Sequence, residues 1–298
     1  MIQRILTALV LIPLVLLLIL RAPVWLLAIV AGIVALLAIR EFLELTKHYG
    51  VEPSFICTYI FVGIFFLLLA LNTGNGKPLL STAFFVYAAG ICAALAPFIF
   101  LTFGMERENL AAAYPAAAAS VFAFTYIALP MAMLVQLRQQ YSGAFQLIYL
   151  MFVVWSGDIF AYFFGKLIGR NKMSPRVSPG KTWEGAAASL LASVGIGTLL
   201  YHYALAISSF LLHLHLIEPR DGMFGLQRAE IGPVILLSAL LNVAAQLGDL
   251  VESVLKRGAH VKDSGSILPG HGGMLDRIDA MLFAAPVLWL YSAWQVLR

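Results

Sequence analysis

Six aspartates occur in this chain of 298 residues, and four of them (Asp249, Asp263, Asp276 and Asp279) crowd into one short stretch. Glu252, Lys256, Arg257, His260, Lys262, His271 and Arg277 share it. A loop that merely joins two helices has no need of so many charges of both signs. If residues 249–257 continue a helix, Asp249, Glu252, Ser253 and Lys256 fall at i, i+3, i+4 and i+7, on one face. Asp276 and Asp279 are also three apart, at the start of the last apolar run. Carboxylates from two helix ends can converge on a hard cation such as Mg2+, which prefers oxygen ligands. Between them lies the glycine-rich run Gly265 to Gly273, which includes His271 and Gly272. Successive backbone N–H groups in such a run can cradle an anion. Lys256, Arg257, Lys262 and Arg277 can neutralise phosphates. Acidic groups beside a basic, glycine-rich loop are the parts that metal-assisted phosphoryl or nucleotidyl transfer requires.

A second basic loop runs from Lys166 and Arg170 to Ser178, Lys181 and Thr182. Gly180-Lys181-Thr182 looks like the tail of a phosphate-binding P-loop. Pro175 stands where that motif needs glycine, however, and no strand is expected before it, so a P-loop is rejected. Lys181 can still hold a phosphate at the start of the next helix, where the macrodipole favours anions. The simpler reading of this loop is the ordinary excess of basic residues on the cytoplasmic side of a membrane protein.

The elements that must position these groups are apolar. Hydrophobic residues make up 61% of the chain and charged residues only 11%, against about a quarter charged in soluble domains. The mean hydropathy is +0.91. A soluble enzyme, a disordered chain and a disulfide-stapled module are excluded. Cys57 and Cys92 lie in apolar runs and read as small buried hydrophobes. No basic run interleaved with aromatics points to nucleic acid. Arg21 and a second apolar run follow the first without a small-residue cleavage site, so the N-terminus reads as a membrane helix rather than a signal peptide.

The class expected is all-α: a polytopic integral membrane helical bundle with about nine transmembrane helices. Their approximate spans are 3–20, 24–40, 55–72, 82–103, 110–136, 144–166, 184–213, 230–248 and 275–296. Pro115 and Pro130 should kink the fifth span or shift its ends. The seventh is long enough to break near Gly195–Gly197. A single membrane domain is expected over 1–298, with N-terminal apolar helices over 1–140 and catalytic helices and loops over 144–298. With the N-terminus inside, most of the 19 Lys and Arg residues fall on the cytoplasmic side, together with loops 167–183 and 249–274. Asp158 sits inside the sixth span. An ionisable group there defaults to function, lining an entrance with Ser156 and Tyr162, unless it merely pairs with Lys166 or Arg170.

The run SVLKRGAHVKDSGSILPGHGGMLDRID, from Ser253 to Asp279, resembles the signature of the phosphatidate cytidylyltransferase (CDP-diacylglycerol synthase) family. Ser253, Lys256, Arg257, Lys262, Asp263, Gly265, His271, Gly272, Gly273, Asp276, Arg277 and Asp279 fill its polar and small positions. Leu255, Leu268, Met274 and Ile278 fill the hydrophobic ones, and Pro269 fills the Pro/Gly one. Upstream, Asp158, Tyr162, Lys166 and the run Ser178 to Gly185 are also similar to the family. The resemblance covers about 150–298. Gly180 departs from it, standing where many members have a second Lys.

The resemblance implies the reaction of CTP with phosphatidic acid to give CDP-diacylglycerol and pyrophosphate, in phospholipid biosynthesis. It implies Mg2+ as cofactor, as two cations, held by Asp249 and Asp276, with Asp279, Asp263 and Glu252 as further metal candidates. Lys256, Arg257, Lys262 and Arg277 would then stabilise the triphosphate and the departing pyrophosphate. Ser178, Lys181, Thr182, Ser253, His271, Gly272, Gly273, Asp158 and Tyr162 are the substrate-binding candidates. No strong base is needed, because the lipid phosphate is already anionic. The expected partners are CTP, phosphatidic acid and the bilayer, with a homodimer compatible and no nucleic acid. The expected location is a bacterial inner membrane, with cytoplasmic active-site loops. A CTP-dependent lipid-alcohol kinase is the rival enzyme, distinguished by a lipid product without cytidine. A secondary transporter is the rival from another class, though transport does not need this signature.

Overall fold

The protein is described by a computed structural model that covers residues 2–72, 78–218, 230–267 and 272–297. The sequence expectations at Leu268, Pro269 and His271 lie outside the described residues. The chain is helical almost throughout. Its helices are α1 (Ile2–Arg21), α2 (Val24–Lys47), α3 (Phe55–Leu71), α4 (Pro78–Gly104), α5 (Ala113–Ala123), α6 (Leu129–Gln139), α7 (Gly143–Leu167), α8 (Trp183–His202), α9 (Ala204–His213), α10 (Ile231–Gly258) and α11 (Leu275–Leu297). In a bilayer every backbone polar group must be satisfied within its own segment, and helices do this. Among the described residues, six helical stretches are long and apolar enough to cross a membrane: Val24–Lys47, Leu79–Gly104, Leu110–Gln139, Gly143–Leu167, Trp183–His202 and Ile231–Gly258. The three remaining expected spans are also helical, as α1, α3 and α11. The class is therefore the expected all-α membrane bundle.

Three local expectations are modified. The fifth span is irregular before Pro130, not at it. An i→i+5 segment, Phe124–Ala128, links α5 to α6, and the Leu129 N–H donates to the Phe124 carbonyl. Pro130 has no N–H for the carbonyl four residues back, and the wider register precedes it. The seventh span breaks at Tyr203, between α8 and α9, and not at Gly195–Gly197. Helix α8 runs unbroken through both glycines. Finally, loop 167–183 is not featureless. Strands β1 (Lys172–Ser174) and β2 (Ser178–Thr182) pair antiparallel, with Lys172 opposite Thr182 and Ser174 opposite Ser178. A strand does therefore precede Lys181, but Lys181 lies within β2 and not in a loop after it. The P-loop geometry remains absent.

The chain forms two compact units. The first comprises residues 1–12, 23–139 and 255–278; the second comprises 13–22, 140–254 and 279–298. The first unit packs through aromatic rings. Phe124 meets Phe61 and Phe65 edge-on at 5.2 Å, and Phe42 stacks on Phe122 at 5.4 Å. Cys57 packs against the small core of Ala96, Phe100 and Ala117, as a hydrophobe would. The second unit is joined by polar side chains instead. Asn242 on α10 donates to Ser189 Oγ at 2.7 Å and Ser193 Oγ at 2.8 Å, both on α8, and Ser193 donates to the Val153 carbonyl of α7 at 2.7 Å. Such contacts hold helices together where lipid removes the hydrophobic driving force. Gly157 supplies the space, since a Cβ there would strike these same polar atoms.

Candidate active site

Helix α10 continues past the apolar span to Gly258, so the one-face spacing of Asp249, Glu252 and Ser253 is realised. In the second unit Asp249 and Glu252 of α10 meet Asp279 of α11. One oxygen from each of the three carboxylates lies within 4.8 Å of the others. Gly248 makes this approach possible, because a Cβ at that position would collide with the Asp279 carbonyl and the Phe283 side chain. Glu252 is fully buried. Ser253 Oγ donates to Asp249 at 3.4 Å. The set is oxygen-only and anionic, and it fits a hard divalent cation.

The hairpin loop contributes to the same unit. Lys181 Nζ lies 2.8 Å from Asp249 Oδ2. Asp158, exposed on α7, lies in the fields of both Asp249 and Lys181. Among the described residues it makes no ion pair with Lys166 or Arg170. Ser156 turns back onto the Val153 carbonyl at 3.0 Å. Tyr162 is exposed, with Lys166 Nζ 6.0 Å from its ring centre. Thr182 is buried, and its hydroxyl accepts the Gly185 N–H at 3.2 Å as the N-cap of α8. That hydroxyl is committed to the helix end. Ser178 opens β2 and is partly buried.

In the first unit Asp276 has a different setting from the three clustered carboxylates. Lys256 Nζ donates to its Oδ1 at 2.6 Å, and the N–H groups of Ser264 and Gly273 donate to its Oδ2 at 3.0 and 2.8 Å. The side chains of Lys256 and Asp276 are only 12% and 9% exposed. Asp276 thus anchors the signature loop and holds a lysine. Gly272 adopts φ +83, and a Cβ there would also strike the Asp276 carboxylate, so only glycine suits the position. Arg257, Lys262, Asp263 and Arg277 are exposed, with Arg257 Nη1 donating to the Val261 carbonyl at 3.1 Å. Helix α10 ends with His260 in the left-handed region and its N–H on the Arg257 carbonyl, while the Val261 N–H bonds to the Lys256 carbonyl. This is a Schellman end.

Glu41 is the residue that sequence reasoning missed. It lies in α2, within the N-terminal half that reads only as apolar spans. It is 4% exposed. Ser264 Oγ and the Leu275 N–H donate to its Oε2 at 3.1 and 2.8 Å, and the Met274 N–H donates to its Oε1 at 2.9 Å. The one available signal was a carboxylate immediately after the end of an apolar run.

The sequence model of the cytidylyltransferase family matches residues 2–294. A phosphatidate cytidylyltransferase of Brucella abortus biovar 1 (strain 9-941) is 40% identical over 151 residues, covering 51% of this chain and 48% of the relative. Another of Bacillus subtilis (strain 168) is 39% identical over 151 residues, with the same shares of 51% and 48%. One of Haemophilus influenzae is 38% identical over 146 residues, covering 49% and 45%. The chain spans about half the length of the curated relatives it matches. With the family match running over nearly its whole length, the chain belongs to the cytidylyltransferase family.

Proposed function

We propose that this protein transfers the cytidylyl group of CTP to phosphatidic acid, giving CDP-diacylglycerol and pyrophosphate. The observation that carries this reading is the carboxylate group Asp249, Glu252 and Asp279, with Lys181 against it, in a chain of the cytidylyltransferase family. A phosphate oxygen of the lipid attacks the α-phosphorus of CTP. The new P–O bond forms as the bond to the β-phosphate bridging oxygen breaks, and pyrophosphate leaves with that electron pair. The nucleophile is already an anion, so no side chain has to remove a proton. Two anions must meet, so positive charge must lie between them.

Asp249, Glu252 and Asp279 would hold Mg2+, with Asp276 and Asp263 as further acidic groups along the signature. Bound there, Mg2+ would supply Lewis-acid neutralisation of the phosphate oxygens. Lys181 would orient the nucleotide from the hairpin. Lys256, Arg257, Lys262 and Arg277 would stabilise the triphosphate and the leaving pyrophosphate. Ser178, Ser253, Gly272, Gly273, Asp158 and Tyr162 would line the nucleotide and lipid positions. The basic loops support a bacterial inner-membrane location with the site on the cytoplasmic face, where CTP is available; a homodimer is compatible with this.

The test is the purified protein with labelled CTP and phosphatidic acid in detergent, with and without Mg2+. CDP-diacylglycerol formed only with the cation supports the reading. A phosphorylated lipid that lacks cytidine would instead establish a CTP-dependent kinase. No turnover without a gradient would leave transport as the surviving alternative.

A further inference from the structure

Asp276 and Glu41 divide one short piece of backbone between them. Asp276 takes the Gly273 N–H, and Glu41 takes the next two, Met274 and Leu275. They also divide Ser264, whose N–H goes to Asp276 and whose Oγ goes to Glu41. The first amides of a helix have no intrahelical acceptor, and negative charge there is favoured by the macrodipole. Glu41 therefore caps α11 from a helix more than two hundred residues earlier in the chain. Gly265 and Gly273 both leave room for its carboxylate, since a Cβ at either would strike it. The same helix region reaches the other end of the signature loop. The Tyr49 hydroxyl donates to the Leu255 carbonyl at 2.7 Å, over Gly258, where a Cβ would meet the ring.

We propose that Glu41 is a positioning residue for the cytidylyl-transfer reaction: through Ser264, Met274 and Leu275 it fixes the loop that presents Asp276 to Lys256. The inference rests on the proposed function for its activity readout only. Both Glu41 oxygens face N–H donors, which cannot reverse. Glutamine would turn an NH2 group toward one of those donors, so at least one bond must break. Residues that orient groups of a phosphate- or metal-handling site typically cost about 10–100-fold when changed.

The experiment is Glu41→Gln in the full-length protein, with Glu44→Gln as control. Glu44 is half exposed, and among the described residues its ion pair is with Lys47, at 2.8 Å. Three quantities are read: kcat and KM for CTP, the thermal midpoint, and amide hydrogen exchange over 262–276. The expected result is a kcat lower by roughly 10–100-fold with KM for CTP little changed, and faster exchange at 272–276, in a protein that still unfolds cooperatively. Glu44→Gln should match the parent in all three. Wild-type kcat with unchanged exchange overturns the inference. So does an activity loss that only follows the amount of folded protein. If Glu41→Gln does not fold, Ser264→Ala removes one of the three bonds and decides on the same readouts. If the parent protein forms no CDP-lipid, the functional reading fails, while hydrogen exchange still decides the role of Glu41.

Discussion

Lys256 Nζ and Asp276 Oδ1 stand 2.6 Å apart, both nearly excluded from solvent, with the remaining Asp276 oxygen filled by two backbone amides. A pair this enclosed is costly to break from one side, because the surviving charge is left in low dielectric. Asp276→Asn and Lys256→Met should each lower stability by about 3–5 kcal/mol, measured by denaturant unfolding in detergent. The double variant should lose less than the sum of the two. Cytidylyl transfer should be lost in all three. Additive losses in the double variant would show that the two side chains do not interact in the folded protein.

Asp249 faces both Lys181 and the other clustered carboxylates. Asp249→Asn removes one unit of negative charge from the proposed cation site. Turnover should fall by about 100-fold or more, since charge stabilisation by a metal is worth several kcal/mol. Mn2+ binding, followed by paramagnetic resonance, should weaken in parallel. Unchanged Mn2+ affinity would place the cation elsewhere.

Lys181 has two opposed effects. Its ammonium satisfies Asp249 at 2.8 Å, which disfavours a cation beside that carboxylate. Its proposed task is a charge-assisted hydrogen bond to nucleotide phosphate, worth about 1.5–3 kcal/mol. Lys181→Met should therefore lower kcat/KM for CTP roughly 10–100-fold while tightening nucleotide-free Mn2+ binding. Calorimetry that finds both affinities lowered would contradict this division.

Gly248 sets the spacing of α10 and α11 in the second unit. Gly248→Ala puts a methyl group against the Asp279 carbonyl and Phe283. Overpacking of this kind costs about 1–3 kcal/mol, and a displacement near 1 Å at a reacting centre can cost about 100-fold in rate. Gly232→Ala is the matched control on the same helix, because nothing lies within 4 Å of a Cβ there. Equal activity in the two variants would mean that helix spacing at Gly248 does not limit the reaction.

Much of this protein is determined by sequence alone. A chain with 11% charged residues and repeated apolar runs near 20 residues has to become membrane helices, because a bilayer leaves the backbone few other ways to satisfy its polar groups. Uneven placement of the scarce charges marks 249–279 as the candidate chemical region, since an unsupported charge in this setting is expensive. Helical periodicity aligns Asp249, Glu252 and Ser253, because these three share one element.

Relations between elements were decided only in three dimensions. Spacing cannot tell which of Asp276 and Asp279 joins the α10 carboxylates. That depends on how α11 leaves the loop, and Asp276 is drawn instead to Lys256 and two amides. Thr182 looks like a phosphate ligand in sequence but caps α8, because its position at the strand-to-helix junction leaves an orphan amide within reach. Glu41 was invisible for a related reason. Its partners are two backbone N–H groups and a serine hydroxyl more than two hundred residues away. Backbone amides carry no signature in a sequence, so only the folded chain could show which carboxylate they bind.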